Sequence, residues 1–167
     1  MFDFNPVQIL ASVPAIIIIF SIYGYAEAKV ATWLGDPTPR MAGRLTLSPF
    51  AHLDLIGTLC IILVGFGWPK GMAINPAYFK DPRRDMTLLA FSGPVAGLII
   101  GFIFTFIYLL LGNFNLITSQ GLDMVLKYII LYSIGISLFC LIPFPPLPGF
   151  NLSLIHISEP TRLLSIS

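Results

Sequence analysis

Long stretches of this chain carry no charge, and that absence limits its fold more than any motif does. Placing an unpaired charge in hydrocarbon costs about 2.5–3.5 kcal/mol even on the lenient insertion scale, so charge-free windows mark where a membrane can lie. Residues 4–26 form a window of 23 residues, 55–69 one of 15 and 86–122 one of 37, and a fourth opens at residue 128. Composition agrees: 56% of the residues are hydrophobic, 10% are charged, and the mean hydropathy is +0.89. A water-soluble surface needs about a quarter of its residues charged. With nine Lys or Arg against eight Asp or Glu, the net charge is +1. That excludes nucleic-acid binding, an acidic tail and intrinsic disorder.

The windows predict an all-α integral membrane protein, a polytopic bundle of three to four transmembrane helices in contact with the lipid bilayer. Residues 4–26 are long enough to cross ~30 Å of hydrocarbon as a helix. Asp3, the lack of a basic residue before this window and the lack of a cleavage site after it argue against a signal peptide. Residues 86–122 predict a helix over about 87–111 followed by a polar cap at Gly112-Asn113-Phe114-Asn115. The last window starts as a helix and ends at Pro143, where Pro143, Pro145, Pro146 and Pro148 break the segment. Backbone broken at membrane depth must be covered by protein or line a wet cleft. Residues 55–69 leave two readings open: a re-entrant segment, or a helix that starts earlier and carries His52 and Asp54 in its first turns. Lys29, Arg40 and Arg44 lie in the linker before this window, and Lys70, Lys80, Arg83 and Arg84 in the linker after it. Both clusters are cytoplasmic if the window re-enters, and they lie on opposite faces if it spans.

Smaller features carry expectations of their own. Gly93-Pro94 predicts a kink or a close helix contact, and Gly97 and Gly101 extend its row of small residues into core packing. The isoleucines of 16–19 and the phenylalanines of 102–106 read as lipid-facing or bundle surface. Cys60 and Cys140 sit in apolar stretches and read as packing residues rather than a disulfide. Residues 152–167 resemble a translated sequencing adapter, and such a tail is set aside before fold reasoning. The expected division is therefore a transmembrane domain over 1–151, truncated at its C-terminus, and an artefactual tail over 152–167. His52 is then the one native histidine.

A series of motifs carries a family resemblance. Gly35-Asp36-Pro37-Thr38, Gly43-Arg44-Leu45-Thr46-Leu47, Ala51-His52-Leu53-Asp54 with Gly57-Thr58, and Gly67-Trp68 come first. Asn75-Pro76, Asp81-Pro82-Arg83-Arg84-Asp85-Met86, Gly93-Pro94 and Pro143-Phe144-Pro145-Pro146-Leu147 follow. Together they resemble the site-2-protease-like peptidases of the M50 type over nearly all of residues 15–150. The resemblance implies a fold built for an intramembrane zinc metalloprotease, with a His-Glu-x-x-His turn on one helix and an Asp from a Pro-Pro-Leu-Asp-Gly motif on another. Histidines at i and i+4 share a helical face and reach one ion, a carboxylate completes the ligands, and the Glu takes the proton of a bound water.

Here the matching positions hold other residues. Tyr23 and Glu27 occupy the histidine positions, Gly24 that of the general base, and Pro148 that of the ligating Asp. Gly97 and Cys140 replace two asparagines common in the family. The resemblance thus implies a retained scaffold without its catalytic residues or zinc, a pseudoprotease that binds the transmembrane helices of clients in a multi-pass prokaryotic cell membrane. The alternative is an active intramembrane zinc metalloprotease that uses an atypical site or residues lost by truncation. Glu27, His52 and Asp54 are its weak metal candidates, since one imidazole with hard oxygen donors makes a poor zinc set. For Glu27 the bland expectation is a carboxylate near interfacial water, hydrogen-bonded by Tyr23. For His52 and Asp54 it is capping or linker bonding. For Lys80, Arg83 and Arg84 it is a solvated loop, set against a seat for anionic lipid.

Overall fold

A computed structural model describes residues 6–64 and 67–141. Residues 143–149 with Pro148, and the tail 152–167, lie outside the described residues. The described chain is helical, with no strands. It runs through α1 (Pro6–Trp33), α2 (Thr38–Met41), α3 (Pro49–His52), α4 (Leu55–Val64), a 3-10 turn (Pro76–Tyr78), α5 (Pro82–Asn113) and α6 (Gln120–Cys140). Three of these, α1, α5 and α6, are long and apolar enough to cross a membrane.

All three long helices overrun their charge-free windows, and for α5 and α6 end-capping rather than hydropathy sets where they begin. Asp81 accepts from the Arg84 amide at 3.3 Å and Pro82 takes the first helical position, so α5 starts before Arg83, Arg84 and Asp85. Ser119 caps α6 at the Leu122 amide, which brings Asp123 and Lys127 into its first turns. There Asp123 accepts from the Tyr108 hydroxyl at 2.9 Å and from Lys127 Nζ at 2.7 Å, tying the far ends of α5 and α6 together.

The core lies where α1, α5 and α6 meet, around Ala15, Ile16, Ile19, Phe20, Tyr23, Ile129, Ile136 and Cys140. Burial of Ile16 and Ile19 corrects the expectation that the isoleucine run faces lipid. With helices on several sides, α1 is the inner helix of the bundle, and hydropathy alone does not separate a buried apolar face from a lipid-facing one. Phe102 and Phe106 stay exposed as expected, and Phe104 packs against the core. The row on α5 makes close contact as the small-residue spacing predicts. Gly93 meets the Tyr23 ring, Gly97 meets Ser137, and Gly101 meets Ile134 and Ser133.

The ambiguous window folds as a re-entrant segment. Its helix α4 is 10 residues long, about 15 Å, roughly half the thickness of the hydrocarbon layer. His52 and Asp54 lie outside it, with Asp54 Oδ1 accepting from the Gly57 amide at 2.7 Å as a cap. Beyond α4 the chain returns along it: Gly57 and Gly67 pack against each other's backbone neighbourhood, and the Lys70 amide donates to the His52 carbonyl at 2.8 Å. Both linkers therefore lie at the α1 C-terminal end of the bundle. Asp36 locks them together, one carboxylate oxygen accepting from the Thr38 amide and the other from the Asn75 amide, each at 2.9 Å.

Two outcomes follow from this layer. In a background with Cys60 and Cys140 replaced by Ser, Phe50→Cys and Tyr78→Cys should react with a membrane-impermeant maleimide from the same side of vesicles, and Phe114→Cys from the other. Labelling of positions 50 and 78 from opposite sides would refute the re-entrant fold. For Asp36, burial pushes the carboxyl upward, but donors from Thr38 and Asn75 outweigh it and hold the group below its ordinary range. Its contribution to stability is complete above the ordinary carboxyl value of about 4 and is lost as pH falls through the lower folded value. Asp36→Ala should lose about 2–3 kcal/mol at pH 7. Asp36→Asn should melt with a shallower acid dependence than the parent between pH 7 and pH 3, and identical slopes would refute the assignment.

Candidate functional site

Tyr23, Gly24 and Glu27, the residues that the resemblance singles out, occupy one turn of α1, two-thirds of the way along it. Tyr23 is 0% exposed and packs its ring on Gly93 of α5, where an added Cβ would lie 2.3 Å from a ring carbon. Its hydroxyl has no hydrogen-bond partner among the described residues, and the Cys140 thiol and Glu27 carboxylate are its polar neighbours. The expected Tyr23–Glu27 hydrogen bond is therefore not formed.

Glu27 also departs from expectation. It is 8% exposed, because α1 continues to Trp33 and leaves this carboxylate inside the bundle instead of at the interface. The cation within electrostatic reach of it is Arg44. The Arg44 guanidinium donates to the Ala51 carbonyl and, at 2.9 Å, to the Gly71 carbonyl. It thus clamps the two linkers together while lying within electrostatic reach of Glu27. In the sequence Arg44 stands only among the linker motifs. The available signal was an acid near mid-helix, since a buried carboxylate calls for a cation close by.

His52 reaches this turn from the first linker. It is 1% exposed and its Nε2 lies 2.7 Å from the Thr46 carbonyl. A carbonyl only accepts, so Nε2 carries the proton. Burial holds the imidazole below its ordinary pKa; the Thr46 hydrogen bond opposes this and the Arg44 charge adds to it. The ring is therefore neutral at pH 7, with Nδ1 as the lone-pair nitrogen. That nitrogen is turned against Gly24: a Cβ built there would lie 2.2 Å from Nδ1 and 2.7 Å from Cγ of the same ring. The imidazole thus fills the space where a side chain at position 24 would begin.

The chain can be tested for zinc on these positions. Among the described residues, no three His, Cys, Asp or Glu side chains converge as a metal-binding group. Asp54 is spent on the α4 cap, and Glu27 lies within electrostatic reach of the Arg44 guanidinium. The free nitrogen of His52 abuts the α1 backbone, which leaves no room on that side for an ion at the ~2.0–2.1 Å of a Zn–N bond. These donors do not fit zinc. What the arrangement does provide is a buried polar knot of a phenol, a thiol, a carboxylate and a neutral imidazole, joined to the linkers through Arg44.

Over 141 residues the chain is 38% identical to a protein of Bacillus subtilis (strain 168) named "Putative zinc metalloprotease YwhC". The match covers 82% of this chain and 64% of that relative, so the chain spans slightly under two-thirds of its relative's length. No family model and no solved structure matches the chain. The likeness to a protein bearing a metalloprotease name fits the site-2-protease-like resemblance carried by the motifs.

Proposed function

We propose that this chain is the membrane core of a site-2-protease-like protein of the M50 type that has given up zinc hydrolysis and holds membrane helices of client proteins without cutting them. The observation that carries this reading is the packing of His52 on Gly24. The general-base position has lost its carboxylate, and the space has been filled by a pinned, neutral ring. Tyr23 supports it in the same way, since its ring is locked on Gly93 in place of a ligating imidazole. The apolar side chains Leu55, Ile56, Leu59 and Leu63 of α4, exposed beside this turn, offer a client helix a contact surface. All seven basic residues of the two linkers sit at one end of the bundle, and the positive-inside rule assigns that end to the cytoplasm.

A second reading is an active intramembrane zinc metalloprotease that uses an atypical site or residues outside those described. The likeness to a protein named as a zinc metalloprotease favours it.

Metal analysis and helix cleavage separate the two. On the first reading, the purified protein carries far less than one zinc per chain and leaves a helical substrate in the same bilayer intact. About one zinc per chain, removed by chelator together with cleavage of that substrate, would establish the second. The packing itself predicts that Gly24→Ala destabilises the bundle by about 1–3 kcal/mol through overpacking against His52. The double variant Gly24→Ala/His52→Ala should cost less than the sum of its single changes by about 1 kcal/mol or more. A neutral Gly24→Ala in denaturant titration would remove the observation on which the first reading stands.

A further inference from the structure

The layer formed by the two linkers is more cationic than a net charge of +1 suggests, because its acids and bases are sorted by depth. Glu27, Asp36 and Asp85 are buried. Asp36 spends both oxygens on backbone amides, Asp85 accepts from the Asp81 amide at 3.2 Å, and Asp54 caps α4. Asp81 is the one acid of the layer that is exposed, and its carboxylate caps α5. The bases point outward: Lys29, Arg40, Lys70, Lys80, Arg83 and Arg84 are all exposed. Capping and the re-entrant return turn carboxylates inward, while the long basic side chains named above lie at the surface of the layer.

Large apolar side chains stand among these cations. Trp33 is 77% exposed, Phe50 86% and Met41 84%. Trp33 lies one turn after Lys29 on α1, and Met41 follows Arg40 directly. Aromatic and apolar groups interleaved with Lys and Arg at the ends of spanning helices suit the headgroup boundary, where rings sit at the interface and basic side chains reach outward to phosphate. A purely solvated loop would leave these apolar groups in water.

We propose that the linker layer is a seat for anionic phospholipid headgroups of the leaflet it faces, with Arg40, Lys80 and Arg84 among the groups that hold them. The inference rests on α1, α5 and α6 crossing a bilayer, and is independent of whether the Tyr23–His52 turn holds a metal. Lipid selectivity at Trp33 tests it, with Trp68→Phe leaving Trp33 as the reporter. The protein is reconstituted in phosphatidylcholine vesicles containing a fixed share of either phosphatidylglycerol or phosphatidylcholine brominated near the carbonyl, and Trp33 quenching is compared.

Phosphatidylglycerol should be enriched around Trp33 by about threefold or more at low salt. The enrichment should fall toward one in 0.5 M salt, and also in the triple variant Arg40→Gln/Lys80→Gln/Arg84→Gln. Equal quenching by the two brominated lipids at low salt would overturn the proposal, as would an enrichment that survives both salt and the triple variant. If the triple variant fails to fold, the salt titration of the parent protein decides alone. Cleavage and metal content do not enter the readout, so failure here is distinct from failure of the protease reading.

Discussion

Close approach to a bare backbone governs this fold. At Gly24 the His52 ring comes within a distance that no Cβ would allow, and at Gly93 the Tyr23 ring does the same. The first contact draws the linker onto α1, and the second draws α1 onto α5. Between them they place a phenol, a carboxylate and an imidazole in an apolar interior, where each must be neutral or paired. The Thr46 carbonyl and Arg44 answer that requirement for His52 and Glu27.

The same two contacts limit what can stand at position 24 of α1. A general base at position 24 needs a side chain there, and His52 needs the same space. Residue 24 and residue 52 are therefore alternatives, and the chain has settled on the glycine. A larger residue at position 24 would therefore require the site to repack around His52. That packing extends from His52 through its carbonyl to Lys70, and so into the return of the re-entrant segment.

Much of the bundle was legible from charge alone. Each of the three long helices contains most or all of the apolar stretch its charge-free window marked, and the glycine row on α5 is packed as its spacing implied. The departures have local causes. Helix ends lie farther out because Asp81, Pro82 and Ser119 supply caps that hydropathy does not weigh. Ile16 and Ile19 are buried because lipid and protein interior are equally apolar, so the isoleucine run could not report which one it faces. Glu27 is buried because α1 outlasts its window by several residues.

By itself, then, the sequence determined that the chain is a membrane helix bundle and that a phenol, a glycine and a carboxylate stand within one turn at the end of its first apolar window, because both facts are local: hydropathy sums over a window, and residue order is read in place. Only the tertiary structure decided that residues 55–69 turn back, that Asp36 joins the two linkers at Asn75, and that His52 occupies the space beside Gly24. Those contacts link positions from about ten to about forty residues apart. Their free energy depends on complementary shape and on which backbone amides remain unpaired, and neither property is written in any single stretch of chain.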